Sequence, residues 1–565
     1  MNCRLHRIGL LEARPIGAGL LIFGLALVVR LLWLAEWHDT PFFRVPIGDG
    51  LRYHQWAREI AGGEWLGREV FFQAPLYPYF LGLLYSLFGD GMWVARLAQV
   101  TLGSVACLLL WRFAHRAFSP AVGLLCGVGL ALYPPAIFND GVLQKTSLTN
   151  VLLAGVLFLS SLLVRNPETR WRTPVAVLLG IALAFLALAQ EHLLLMTPLI
   201  AAFLALRQRE PVRSRVATLA ALALGLALVF VPIGLRNQHI GGTFLITTSQ
   251  FGANFYLGNN PQADGHYHAF REGRGDAEFE RIDAAELAIQ ARGRQLTASE
   301  VSQYWLERSL SFIRAQPFEW LDLTARKLHL VWHERELPDT DSIDAYAEQS
   351  SILTFLDRVW NFGILAPLAL AGVVLRRRRW REDAWLLTAI VAVTFGVAVF
   401  IIYARYRYPL VPLLMPFAAY AIVESVSAAI RLVRPGDGLA PPRDYRSLIG
   451  AFAALVVTAI AVHWPLPSRD MRAINYYSVA VRILDQGGSL AQAEQLLQRT
   501  LSIAPNEAYP YFALSVVYKR AGKFDAEVMA LRKALSLAPQ VTAGYEALAD
   551  AERRAAAARA AGWGR

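Results

Sequence analysis

Cysteine is almost missing from this chain: 3 residues in 565, with Cys3 near the start and Cys107 and Cys126 inside apolar runs. No two of them sit in a polar loop, which excludes a disulfide framework, and no Cys/His cluster has metal-ligand spacing. A Gly-x-x-x-x-Gly-Lys phosphate loop is missing too, so the chain is not expected to hydrolyse nucleotides. Gly-x-Ser-x-Gly and His-Glu-x-x-His are likewise absent. The first apolar run, Gly17 to Trp33, is longer than a signal-peptide core and is followed by no clean small-x-small site, so it reads as a first transmembrane helix.

What the chain has in excess is apolar surface. Its composition is 55% hydrophobic, against about 45–50% in soluble proteins. A helix needs about 20 mostly apolar residues to cross a bilayer. About eleven stretches come close: 17–35, 92–112, 120–138, 146–164, 173–190, 191–206, 216–235, 353–375, 384–403, 408–430 and 447–464. The expected fold class is therefore an all-α polytopic membrane protein. The net charge of +11 fits cytoplasmic loops facing anionic lipid and does not imply nucleic acid.

Charge sets the expected orientation. Loops Arg112–Arg116, Arg165–Arg172, Arg207–Arg215, Arg376–Arg381 and Arg431–Arg446 share one side and are rich in arginine. By the positive-inside rule that side is cytoplasmic. The N-terminus is then inside, the C-terminus is periplasmic, and the location is a bacterial inner membrane. Residues 1–465 form the expected membrane domain, with outer loops at 36–91 and 236–352, and residues 466–565 form a periplasmic tail. In the first loop Tyr53, Trp56, Ala57 and Ile60 have the spacing of a helix lying on the membrane surface. In the second, helices are expected near 277–292 and 297–335. In the tail, Ala504-Pro505 recurs as Ala538-Pro539, a 34-residue interval that is the tetratricopeptide period. Tyr511, Leu514, Tyr518, Gly522 and Ala534 fall at the expected places, whereas Glu527 occupies a small-residue position. Such repeats build concave surfaces suited to a protein partner.

Several residues could carry chemistry. Asp49 lies in Ile47-Gly-Asp-Gly-Leu-Arg-Tyr-His54, just beyond the first span. A carboxylate there suits a general base that takes an acceptor's proton, and equally a helix N-cap. Asp140, in Asn-Asp-Gly, reads as a second outer acid or as a solvated turn residue. Lys145 suits a phosphate or a headgroup. Arg405 and Arg407, in Tyr403-Ala-Arg-Tyr-Arg-Tyr-Pro409, sit on the outer side against the charge bias. Guanidinium groups there suit a lipid-linked phosphate or headgroup anchoring. Arg30, within the first span, is expected to snorkel to the interface. Arg236, Asn237, Tyr53 and Tyr77 are candidates to face the cavity. His266 and His268 have metal-like spacing without a supporting carboxylate cluster, and Glu191-His192 reads as an interfacial turn.

Taken in order, these residues resemble a family. The acid after the first span, the run Gln73-Ala-Pro-Leu-Tyr-Pro-Tyr-Phe-Leu-Gly-Leu-Leu-Tyr-Ser-Leu-Phe-Gly89, and Ala95-Arg-Leu-Ala-Gln-Val-Thr-Leu-Gly103 look like the GT-C membrane glycosyltransferases. The resemblance is to the family 39 type, which includes protein mannosyltransferases and bacterial aminoarabinose transferases. Arg236-Asn, Gly258-Asn-Asn-Pro and Arg405-Tyr-Arg-Tyr-Pro-Leu-Val-Pro412 are similar to later landmarks of bacterial members. The resemblance covers roughly residues 15–430. It implies an inverting transfer from a polyprenyl-phosphate sugar to a protein, lipid or glycan acceptor at the outer face. It places the general base on Asp49; the cations suited to stabilise the departing donor phosphate are Arg405, Arg407 and Lys145. Many protein mannosyltransferases carry Asp-Glu where Gly50 follows here, which shifts interest to Asp140. No cofactor or metal is implied. Two rival readings remain: a scaffold acting through its repeat tail, and an O-antigen ligase- or polymerase-like enzyme.

Overall fold

The computed structural model describes residues 15–165, 170–206, 211–271, 274–275, 277–433, 445–466 and 470–560. Cys3 and parts of the arginine-rich loops at 165–172, 207–215 and 431–446 lie outside the described residues. Among the described residues there is no strand. The chain forms two compact units. One comprises Met1–Ala35, Tyr53–Leu337 and Ile352–Pro465; the other comprises Glu36–Arg52, Pro338–Ser351 and Leu466–Arg565.

The first unit is a multi-pass membrane body. Seven helices are long and apolar enough to span: Ile16–Trp37, Met92–Ala117, Thr146–Val164, Arg172–Ala189, Val212–Gly241, Ser351–Leu375 and Leu410–Arg431. An eighth candidate is a bent pair, Pro120–Ala131 and Pro134–Gly141, angled by 52°. The count is thus seven or eight among the described residues, below the eleven expected. The differences have local causes. Glu191–Leu195 is a 3-10 turn, which leaves only Met196–Ala205 as α-helix in the expected 191–206 span. Helix Trp380–Ala398 spends its first turn on Arg381, Glu382 and Asp383, which shortens its apolar run. Ser119 caps the first arm of the bent pair by accepting from the Val122 N–H at 3.3 Å. Pro134 and Pro135 bar a continuous hydrogen-bond ladder and start the second arm.

Lipid tails are as apolar as leucine, so membrane helices associate by close packing more than by burial of apolar area. The crossing of Arg172–Ala189 and Val212–Gly241 shows it. A Cβ on Gly180 would lie 2.2 Å from the Leu222 carbonyl, and one on Gly225 would lie 2.1 Å from that of Val177. Arg376, from the predicted cytoplasmic arginine run, is not solvated. It forks onto Asp383 at 2.7 and 2.9 Å and lies over the Phe118 ring.

The helix at the start of the first loop runs from Gly48 to Ala61. Its apolar face does not lie open to lipid. Tyr53, Ala57 and Ile60 are buried, packed on helix Leu76–Phe88. In the second loop the predicted 277–292 helix is Ala277–Arg292. The predicted 297–335 stretch is two helices, Ala298–Ala315 and Pro317–Trp332, because Pro317 cannot continue a helix but can begin one. Thr297 and Glu300 form a reciprocal capping box at the start of the first.

In the second unit, helices Arg472–Asp485, Leu490–Ile503, Tyr509–Arg520, Phe524–Leu537 and Thr542–Ala560 each pack on the next. Ala493 and Ala534 are fully buried at the crossings. Glu527, also buried, is neutralised by Arg554 at 2.7 Å, so an acid is tolerated inside the helix packing.

Candidate active site

The turn after Pro134–Gly141 leaves carbonyls without helical partners. Side chains of helix Met92–Ala117 take them up. Arg96 Nε donates to the Gly141 carbonyl at 2.9 Å, and Gln99 Nε2 donates to the carbonyls of Val142 at 2.7 Å and Asp140 at 3.2 Å. The Tyr77 hydroxyl donates to Gln99 Oε1, and Tyr53 packs edge-on against Tyr77 at 5.2 Å. Both tyrosines are buried, Tyr77 bracing the turn through Gln99 and Tyr53 packed against Tyr77.

Asp140 is 1% exposed, so it is not a solvated turn residue. Its carboxylate accepts from Arg30 Nε at 2.7 Å. Arg30 does not snorkel. It is fully buried, and Nη1 donates to the carbonyls of Ala26 and Ala131, each at 3.2 Å. Two charges that would each be costly in an apolar bundle neutralise one another. Gly103 makes room, since a Cβ there would sit 1.8 Å from Asp140 Oδ2.

The turn so fixed carries Gln144 and Lys145, both buried. Arg405, in the four-residue helix Ala404–Arg407, donates from Nη1 to Gln144 Oε1 at 2.9 Å. Its backbone carbonyl accepts from Gln190 Nε2 at 2.9 Å. The Tyr406 ring lies under both cations, 5.6 Å from Lys145 Nζ and 5.1 Å from the Arg405 guanidinium carbon. His192 also meets this ring, with centroids 6.0 Å apart. Positive charge from two distant parts of the chain thus gathers around one aromatic ring. Such a cluster suits an anion, because a guanidinium and an ammonium both donate to phosphate oxygens.

Arg407, expected beside Arg405, points elsewhere. It is buried, pairs with Glu336 at 2.8 Å, donates to the His333 carbonyl and lies over the Phe362 ring. Its charge is consumed in holding the loop. Arg236 and Asn237 are also structural ties. Arg236 Nε donates to the Leu66 carbonyl at 2.8 Å and its guanidinium covers the Phe71 ring at 3.6 Å. Asn237 Nδ2 donates to the carbonyls of Leu245 and Thr247 at 2.8 and 3.2 Å.

Asp49 belongs to the second unit. It lies in the first turn of helix Gly48–Ala61 and is half-buried. His268 approaches Asp264 at 3.0 Å, and no group of three or more His, Cys, Asp or Glu capable of holding a metal occurs among the described residues.

Sequence reasoning missed Gln144, Gln190 and the Asn259 hub. Asn259 Oδ1 accepts from Trp320 Nε1 at 3.0 Å and from Lys327 Nζ at 3.4 Å, while Nδ2 donates to the Val399 carbonyl at 2.7 Å. Burial pushes the Lys327 ammonium down to about 7. The signal available for Asn259 was its place in Gly258-Asn-Asn-Pro; Gln144 and Gln190 carry none.

Comparison with known proteins adds the following. Residues 73–234 match the family described as dolichyl-phosphate-mannose-protein mannosyltransferase. No curated protein matches the chain. Among solved structures, the oligosaccharyltransferase AglB from Archaeoglobus fulgidus, in complex with an inhibitory peptide and a dolichol-phosphate, shares 13% identity at a TM-score of 0.44. That alignment covers 86% of this chain and 59% of the archaeal one, so the chain spans under two thirds of that protein's length. ArnT from Cupriavidus metallidurans, in the apo state, shares 15% identity at a TM-score of 0.34, with 86% of this chain and 94% of that one covered.

Proposed function

We propose that this chain is a membrane glycosyltransferase of the GT-C type that moves a sugar from a polyprenyl-phosphate donor to an acceptor at the periplasmic face, with inversion. The observation that carries the reading is the convergence of Lys145 and Arg405 over Tyr406, in a chain whose residues 73–234 match the mannosyltransferase family. When the sugar leaves, the donor's phosphate gains negative charge. Fixed cations at that point stabilise the transition state more than the ground state. Lys145 and Arg405 take this role. Arg407 and the Arg30–Asp140 pair hold the segments that carry them.

Asp49 is assigned as the general base that removes the proton of the acceptor's hydroxyl or amine during attack on the anomeric carbon. Its support is the position in the chain: an acid in the outer segment after the first span, in the first turn of helix Gly48–Ala61 and ahead of the matched region. The tail is assigned as tetratricopeptide-like. It has a groove lined by Tyr511, Tyr518, Met529 and Lys533 that suits a protein, either the acceptor or an assembly partner.

The test compares cells carrying wild-type protein with cells carrying Asp49→Asn at equal expression. Lipid-linked sugars and surface glycans are read by mass spectrometry. Accumulated polyprenyl-phosphate sugar with loss of one glycan is the expected result. Unchanged lipid and glycan profiles refute the enzyme and favour the scaffold.

A further inference from the structure

The second unit contains more than the tail. Its helix Arg472–Asp485 is built onto two segments from far earlier in the chain, Glu36–Arg52 and Pro338–Ser351. Asn475, fully buried, grips the second segment at two points. Its Nδ2 donates to the Thr340 carbonyl, and its Oδ1 accepts from the Ser342 N–H at 2.6 Å. An amide side chain that satisfies an N–H and a C=O two residues apart copies the pairing of a neighbouring strand, so it fixes that backbone in position and direction. Glu348, in the same segment, accepts from Tyr476 and Arg472, and from Arg499 at 2.9 Å. The segment is thereby fastened to the first two tail helices.

Pro338–Ser351 in turn holds the first segment. Gly48, immediately before Asp49, has φ +48, and a Cβ on it would lie 1.9 Å from Thr340 Cγ2. Gly48 is therefore glycine for two reasons: its left-handed backbone and the Thr340 side chain pressed against it. Upstream, Trp37 and Phe42 stack edge-on or tilted against Tyr346 at 5.1 and 5.0 Å, and Phe42 meets Tyr476 of the tail at 5.4 Å. Glu36 accepts from Ser350 and Ser351. A continuous path thus runs from the tail through Asn475 and Thr340 to the residue that precedes Asp49.

We infer that the tail is a positioning element for the Asp49 segment, and that Asn475 is a positioning residue for the transfer reaction. This rests on Asp49 as base, the reading given above. It makes the repeats part of the catalytic apparatus as well as a docking surface, so a partner seated on the tail would act on Asp49 through Asn475.

The experiment uses the full chain in detergent and in cells. Hydrogen–deuterium exchange is followed for residues 36–52, with 92–117 as an internal reference. Asn475→Ala should speed exchange in 36–52 by roughly tenfold or more, as expected for a lost buried hydrogen-bond pair. The reference should not change, and polyprenyl-phosphate sugar should accumulate in the cells. Gly48→Ala should do the same, and Gly48→Ala combined with Thr340→Gly should recover part of both readouts. Recovery by relief of one contact is a result that general misfolding does not give. Unchanged exchange in 36–52 for Asn475→Ala overturns the inference, as does faster exchange with normal lipid-linked sugar. Asp49→Asn run alongside separates the two claims: if it is silent, the base assignment fails, while the exchange data still decide whether the tail holds the segment.

Discussion

Replacing Asp140 with alanine removes one partner of a charge pair that has no access to water. Arg30 then keeps a guanidinium inside the bundle with its Nε unsatisfied, since that atom donates to Asp140 Oδ2 at 2.7 Å. Breaking a buried pair from one side costs about 3–5 kcal/mol. Two carbonyls, those of Ala26 and Ala131, still accept from Nη1. They compensate part of the charge, which places the loss near the lower end, about 3 kcal/mol or roughly a hundredfold in the folding equilibrium. The assay is reversible unfolding in mixed micelles titrated with dodecyl sulfate. Asp140→Ala should lower the midpoint clearly. The double variant Arg30→Met, Asp140→Leu should recover much of it, because replacing both ions with apolar groups removes the stranded charge. An Asp140→Ala midpoint equal to wild type refutes the reasoning, and so does a double variant less stable than the single.

Other expectations follow from the same geometry. Arg405→Ala should weaken donor use at least tenfold, read as accumulated lipid-linked sugar, and Arg405→Lys should restore it only in part because an ammonium lacks the guanidinium's planar set of donors, one of which meets Gln144. Gly103→Ala should destabilise the body in the same micelle titration, since its Cβ would fall 1.8 Å from the Asp140 carboxylate. Glu300 receives hydrogen bonds from Arg294 and then Thr297, which lower its carboxyl from 4.5 to about 2. Its folded value lies below its unfolded one, so the stabilisation is complete above pH 4.5 and lost as pH falls through about 2. The midpoint difference between wild type and Glu300→Gln should therefore be flat near neutrality and shrink in acid. Lys327 shows the opposite charge: burial lowers it from 10.5 to about 7, so the unfolded chain holds the extra proton between those values and stability rises with pH across that window. Lys327→Met should raise the thermal midpoint more at pH 7 than at pH 10.

The membrane body was readable because hydropathy is a local property. Each long span announces itself within about 20 residues. Breaks inside apolar runs were harder. Pro134-Pro135 sits within a stretch whose mean hydropathy passes for one helix, so hydropathy runs through a break that the two prolines impose. The charges were the least readable. Whether Arg30 reaches the interface or turns inward depends on Asp140, 110 positions away. Arg405 and Arg407 look alike two residues apart, yet one meets Gln144 and the other Glu336. The 34-residue interval of the tail lies on the surface of the sequence. Its union with residues 338–351 does not, because Asn475 reads the backbone of that segment and leaves no pattern of residue types.

The crossing at Gly180 and Gly225 limits how this body can move. Each of the two helices there touches the other's backbone, with no side chain between to act as a bearing. A second link joins their far ends, where the Glu191 carboxylate accepts from the Thr248 N–H at 3.0 Å. Two rods bolted in the middle and laced at one end can neither slide nor scissor. Any breathing of the bundle must open along other seams, and a methyl group added to either glycine would force this crossing apart.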